Sequence, residues 1–164
     1  MLSQAEANYL FYYDPINGKL YWKHPTANRV KAGDKAGTLH YSGYLQTHVN
    51  GKTYRNHRII WLMHYGHLPA VLDHIDHNKL NNKIENLREV TYSENCKNIT
   101  RPKNNTSGVI GVSYSKRLGK WYAQIRSERV KYWLGTFDTF EEAVRVRKEA
   151  EVRYGFHKNH GDDR

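Results

Sequence analysis

The chain predicts an α+β protein assembled from small modules, and three observations carry that reading. Residues 8–56 alternate short strand-like runs with turn signals, the pattern of β-hairpins. From His57 apolar residues recur at helical spacing, and beyond a polar stretch at 100–108 three strand-like runs precede one amphipathic helical run. Hydrophobic residues make up 38% of the 164 and mean hydropathy is −0.87, lean for one large core and suited to several small ones.

The elements follow in order. Leu10 to Tyr13 and Lys19 to Lys23 flank Asp14-Pro15-Ile16-Asn17-Gly18, a hairpin whose Asn-Gly supplies positive φ. Turns at Gly33-Asp34, Ser42-Gly43 and Asn50-Gly51 bracket strands from Tyr44 to Val49 and from Lys52 to Asn56. His57 to Tyr65 then reads as a helix stopped by Gly66, because Ile60, Met63 and His64, or Ile59, Leu62 and Met63, share a face. Val71 to His74 and Leu87 to Val90 are short strands around a polar loop. Thr91 or Ser93 can cap a helix running through Asn95 to about Asn98.

Residues 100–108, Thr-Arg-Pro-Lys-Asn-Asn-Thr-Ser-Gly, hold no large apolar side chain and read as a linker. The expected organisation is a first domain at 1–99, a linker at 100–107 and a second domain at 108–160. In the second, strands are expected at Val109–Tyr114, Lys120–Arg126 and Val130–Gly135. Thr139 with Glu142 opens a helix on which Ala143, Val146, Ala150 and Tyr154 align. The simplest packing is a three-stranded antiparallel sheet carrying that helix.

Charge points to the partner. The chain has 26 Lys and Arg against 16 Asp and Glu, a formal net charge of +10 before any of its 10 His is protonated. That balance favours a polyanion. Thirteen Tyr and four Trp interleave with the basic residues, a mixture that meets phosphates with its charges and bases or sugars with its rings. A single cysteine, Cys96, excludes an internal disulfide and any Cys-x-x-Cys zinc site, so a metal here must be held by O and N ligands. With no apolar run near bilayer length and no signal-like start, the expectation is a soluble cytoplasmic protein with no membrane partner.

Residues 71–95 concentrate the chemistry. Asp73 can hold a divalent cation through hard oxygen, His74 can take a proton from water, and Asn86 and Asn95 can steer the imidazole or complete a metal shell. Hydrolysing a phosphodiester needs a nucleophile made near neutral pH, charge stabilisation on the phosphorane oxygens, and help at the leaving 3′ oxygen. One imidazole and one divalent ion can supply all three, and the unperturbed pKa of histidine suits the base role.

These residues resemble the HNH endonuclease family, whose ββα-metal finger places Asp-His or His-His on a first strand, Asn in the connecting loop and His or Asn on the helix. The match is Asp73-His74, then Asn86 twelve positions after His74, then Asn95 nine further on. Ile75-Asp76-His77-Asn78, Asn81-Asn82, Ile84-Glu85-Asn86-Leu87-Arg88 and the preceding His57-Arg58 and Trp61 look like the phage-type branch, with the finger at about 57–99. The resemblance implies Asp73 and Asn95 as metal ligands, His74 as general base, and Asn86 as the residue that fixes the His ring and loop. Asn95 stands where many members have His, which favours Mg²⁺ or Mn²⁺ over Zn²⁺ on ligand hardness. His57 reads as a structural or phosphate-side residue and His77 as a loop or DNA-side one.

Residues 106–160 resemble the ethylene-response-factor, or apetala-type, DNA-binding domain of plants. Ser107-Gly108-Val109, Gly111-Val112, Gly119-Lys120-Trp121, Trp133-Leu134-Gly135-Thr136-Phe137 and Glu142-Ala143 carry the likeness. That family lays the exposed sheet face in the major groove. By alternation Trp121, Ala123 and Ile125 share one face, and Tyr122, Gln124 and Arg126 the other. The resemblance implies Gln124, Arg126, Lys131 and Trp133 on the DNA side. Ser113 and Ser115 stand where plant members carry arginines, while Lys116 and Arg117 are placed to meet phosphates.

Together these readings predict a metal-dependent HNH endonuclease of the phage free-standing or homing type, cutting one or both strands of duplex DNA as a monomer or as copies paired on DNA. The rival is a non-catalytic DNA-binding transcriptional regulator. A nuclease or binder directed at RNA comes third, since basic aromatic surfaces also stack unpaired bases.

Overall fold

A helix that the strand pattern did not anticipate opens the chain. In the computed structural model, which describes residues 1–162, α1 spans Gln4–Leu10. Its start is a capping box: the Ser3 hydroxyl accepts from Glu6 N at 3.2 Å and the Glu6 carboxylate accepts from Ser3 N at 2.9 Å. Ala7 and Leu10 face the core, so the residues read as the start of the first strand belong to this helix and its end.

Strands β1 (Phe11–Asp14) and β2 (Lys19–Trp22) form the expected hairpin, pairing Phe11 with Trp22 and Tyr13 with Leu20. Period-two alternation buries those four side chains and exposes Tyr12. Asp14 fixes the turn by accepting from Ile16 N and Asn17 N at 3.0 and 3.2 Å. A second sheet follows in the order β3-β4-β5, from Thr38–Leu39, Leu45–Val49 and Lys52–Arg55. Its tight turn is Asn50-Gly51, both residues at positive φ, 47° and 77°, which is the geometry the dipeptide predicts.

Helix α2 (Asn56–Tyr65) ends as expected at Gly66, whose φ of 75° places it in the left-handed region with its N–H on Leu62 O. Buried Asn56 ties the helix start to the sheet, accepting from Thr47 Oγ1 at 2.8 Å and donating to Ala36 O at 2.9 Å. Phe11, Leu20, Trp22, Val49, Ile59, Ile60, Leu62 and Leu87 are the heart of this core. Strands β6 (Val71–His74) and β7 (Leu87–Val90) are antiparallel, with Asp73 opposite Arg88 and His74 opposite Leu87. The loop between them closes with a 3₁₀ turn at Ile84–Asn86.

The chain divides into two compact units, Met1–Val90 and Thr91–Arg164. The second begins with α3 (Tyr92–Cys96), capped by Thr91 in a box with Glu94. Residues 100–107, expected as a linker, lie within this unit and are held by backbone and amide bonds rather than apolar burial. Arg101 N donates to Asp162 O at 3.1 Å, Arg101 Nη1 to Gly108 O at 2.7 Å, and Asn105 Nδ2 to Val109 O at 3.1 Å.

Strands β8 (Val112–Ser115), β9 (Lys120–Ser127) and β10 (Val130–Phe137) form an antiparallel sheet in the order β10-β9-β8, and α4 (Phe140–Arg153) packs on it. The first strand starts at Val112 rather than Val109 because Gly111 turns the chain at φ 79°. A Cβ there would overlap Gln124 O and the Arg147 guanidinium. Val112, Ala123 and Ala143 form the core centre, with Trp121, Leu134, Phe137 and Phe140 packed round it. On α4 the deeply buried side chain next to the expected Val146 is Arg147, which donates from Nε to Ile110 O at 2.9 Å and pairs with Glu151 at 3.2 Å. Among the described residues, no helix is long and apolar enough to cross a membrane.

Candidate active site and nucleic-acid interface

His74 closes β6 and is buried, with 4% of its surface exposed. Its backbone is held by pairing with Leu87, and the next residue, Ile75, donates to Asn86 O at 2.9 Å. Asn82 meets the imidazole: its Oδ1 lies 2.9 Å from His74 Nε2. Burial pushes the His74 pKa down, outweighing the Asn82 hydrogen bond and the Asp76 and Asp73 charges that pull it up. The ring is therefore neutral at neutral pH, the form that can accept a proton.

Asn86, expected to fix both ring and loop, is committed to the loop. Its Oδ1 accepts from Asp76 N at 3.1 Å, and its Nδ2 donates to Asp76 Oδ1 and to Asn81 O, both at 2.8 Å. Asp76 in turn takes Asn78 N at 2.8 Å and Asn81 Nδ2 at 2.6 Å. Burial works against the Asp76 charge, yet these donors hold its carboxyl below the ordinary range. The hydrogen-bond partner of the imidazole is instead Asn82, four residues earlier, while Asn86 ends the 3₁₀ turn. Nothing in its position separates Asn82 from Asn81 in the sequence; only its burial does.

Asp73 faces across the sheet to Arg88, whose Nε and Nη2 reach one carboxylate oxygen, Oδ2, at 3.1 and 2.9 Å. Asn95 lies on α3 in the second unit. A carboxylate oxygen such as those of Asp73 is a donor that suits a hard divalent cation, which completes its shell with water and phosphate. Among the described residues no three His, Cys, Asp or Glu gather into a cluster.

Cations and rings gather beside the histidine. His57, at the start of α2, packs edge-on against His74 with centroids 4.9 Å apart, and Tyr44 lies 5.1 Å from His57 and 5.9 Å from His74. Arg55 and Lys79 both lie on the Tyr44 ring, 4.4 and 4.8 Å from its centroid. Burial first, then the charges of His74, Arg55 and Arg58, lower the His57 pKa to about 2. His57 is thus a neutral packing partner of the site. The basic-aromatic interleaving signalled residues such as Tyr44, Arg55 and Lys79 only in bulk, since their meeting depends on the β4–β5 sheet and the 75–86 loop.

In the second unit Gln124 pairs with Trp133 and Arg126 with Lys131 across β9 and β10, so the four share the sheet face opposite α4. Tyr122 joins them, stacked on Trp133 at 5.2 Å and 17° between planes. Trp133 is 57% exposed, unusual for so large a ring. Lys116 and Arg117 occupy the exposed β8–β9 turn.

The model of the HNH endonuclease family matches residues 54–97, which include Asp73, His74, Asn82, Asn86 and Asn95. Protein 3.8 of Escherichia phage T7 is 35% identical over 103 residues, covering 60% of this chain and 85% of that protein. The chain belongs to the HNH endonuclease family. HNH domains generally depend on a divalent metal. This HNH chain is also similar to plant proteins over a short stretch. It is 42% identical over 52 residues to the ethylene-responsive transcription factor ERN1 of Medicago truncatula and 40% over 52 residues to RAP2-11 of Arabidopsis thaliana, each match covering 30% of the chain. The chain spans only 19% and 20% of those two proteins. No solved structure matches it.

Proposed function

We propose that this protein is a divalent-metal-dependent endonuclease that hydrolyses phosphodiester bonds of duplex DNA, of the free-standing or homing type carried by phages and acting in the host cytoplasm. The observation that carries the reading is the buried His74 held by Asn82 and next in the chain to Asp73, inside the stretch matched by the HNH family. In this reading Asp73 and Asn95 hold Mg²⁺ or Mn²⁺, which when bound supplies charge stabilisation at the scissile phosphate and its leaving oxygen. His74 takes the proton of the attacking water. Asn86 keeps the loop in shape through Asp76, and the Arg55 and Lys79 cations beside Tyr44 attract the DNA backbone.

The exposed face of the second sheet holds the duplex. Gln124, Arg126, Lys131 and Trp133 meet base edges and backbone, while Lys116 and Arg117 meet phosphates. The likeness to ethylene-responsive transcription factors supports duplex DNA as the partner, and it also supports the second reading, a DNA-binding regulator without catalysis. Supercoiled plasmid incubated with Mg²⁺ or Mn²⁺ separates them: wild-type protein nicks or linearises it, and His74→Ala binds without cutting. An inert wild type leaves the regulator, and full cleavage by His74→Ala removes the base from His74.

A further inference from the structure

Asn82 exchanges no proton in the proposed reaction, yet it is among the best-held side chains of the first unit. It is 1% exposed, and its neighbours clamp its backbone. Tyr13, on β1, donates its hydroxyl to Asn82 O at 3.4 Å and accepts from Ile84 N at 3.0 Å. Gly18, at φ 63°, presses the hairpin turn onto the same stretch so closely that a Cβ would sit 2.7 Å from Lys83 N and 2.9 Å from the Asn82 carbonyl carbon. The N-terminal hairpin thus braces the segment that touches the histidine.

We propose that Asn82 is the positioning residue of His74: its carboxamide oxygen accepts from Nε2–H, which fixes the ring in one tautomer and one orientation and makes Nδ1 the nitrogen that takes the proton. The proposal rests on the reading of His74 as general base. The chemistry is that of any imidazole base, in which the hydrogen bond at one nitrogen decides which nitrogen carries the lone pair. A carboxamide suits the role. It orients the ring through a neutral acceptor, without adding a negative charge next to the imidazole. The hairpin that the nuclease reading left without a task then becomes the support on which Asn82 rests.

The test reads the tautomer directly. Long-range ¹H–¹⁵N correlation spectra of the full-length ¹⁵N-labelled protein near pH 7.5, with the His74 signals identified by their loss in His74→Ala, report which nitrogen is protonated. The expected wild-type pattern is Nε2–H alone; an Nδ1–H pattern overturns the proposal without any variant being made. Asn82→Ala is expected to give a tautomer mixture and to lower kcat on plasmid at least tenfold, with the DNA concentration for half-saturation unchanged. Asn82→Asp, which keeps an acceptor, is expected to keep Nε2–H. An Asn82→Ala protein with native amide spectra and an unchanged His74 tautomer would reject Asn82 as the positioning group. Wild-type cleavage by His74→Ala would instead reject the base itself, and leaves the tautomer measurement standing.

Discussion

Arg88 places both Nε and Nη2 on a single oxygen of Asp73, at 3.1 and 2.9 Å, across the β6–β7 pair. The pair is half-sheltered, with 11% of the Asp73 side chain and 30% of the Arg88 side chain exposed. A guanidinium so close to the carboxylate proposed to bind a cation must compete with that cation, by its charge and by occupying lone pairs. Arg88→Leu is therefore expected to tighten Mn²⁺ binding by about 1 kcal/mol, roughly fivefold, the scale of a partly exposed ion pair. Titration calorimetry of the protein without DNA checks it. Weaker binding would mean that Arg88 holds Asp73 in a binding-ready pose.

Acid stability should report the buried histidines. Folded His57 has a pKa of about 2, against 6.5 for the free group, chiefly through burial. The unfolded chain therefore takes up a proton below about pH 6.5 that the folded protein refuses. Stability is unaffected above that pH and falls as the pH drops, by about 1.4 kcal/mol per unit for one such group. His74, shifted in the same direction, adds to the slope. His57→Phe should flatten the dependence of urea midpoints between pH 6.5 and 4.5, and identical slopes in the two proteins would refute the assignment.

The second sheet should govern affinity rather than chemistry. Arg126→Ala is expected to weaken duplex binding by about 1–3 kcal/mol and to relax sequence preference. Lys131→Ala should weaken binding evenly across sequences and reduce the salt slope by about 1. Trp133→Ala removes the exposed ring stacked on Tyr122 and should also loosen the complex. Single-turnover cleavage at saturating protein should stay near wild type in all three. A loss of the cleavage rate itself would place these side chains in the chemical step.

Much of this design was legible because its signals are local or periodic. Asp73, His74 and Asn86 were marked by their resemblance to the HNH pattern, and alternation placed Gln124 and Arg126 on one sheet face. Asn50-Gly51 announced its own turn. What stayed hidden depends on contacts made at a distance. Asn82 looks like Asn81 until the hairpin turn buries one of them, and Arg147 looks like a solvated helix residue until Ile110 O and Glu151 receive it. The capping box of Ser3 and Glu6 was readable, but the strand pattern beginning at residue 8 masked it.

One turn departs from the rule that its counterpart obeys. Ser127 pairs with Val130, so Glu128 and Arg129 form a two-residue loop, and both sit at positive φ, 51° and 68°. Asn50-Gly51 adopts the same kind of turn with residues suited to it, whereas an ordinary side chain in the left-handed region costs about 1–2 kcal/mol. Replacing Glu128 by Asn and Arg129 by Gly should recover part of that strain. Greater freedom of glycine in the unfolded chain offsets some of the gain. A net stabilisation of about 1 kcal/mol is expected, worth roughly 4–8 °C in Tm for a unit of this size. Calorimetry of the double variant Glu128→Asn/Arg129→Gly checks it. An unchanged or lower Tm for the transition of the second unit would mean that the turn carries no recoverable strain.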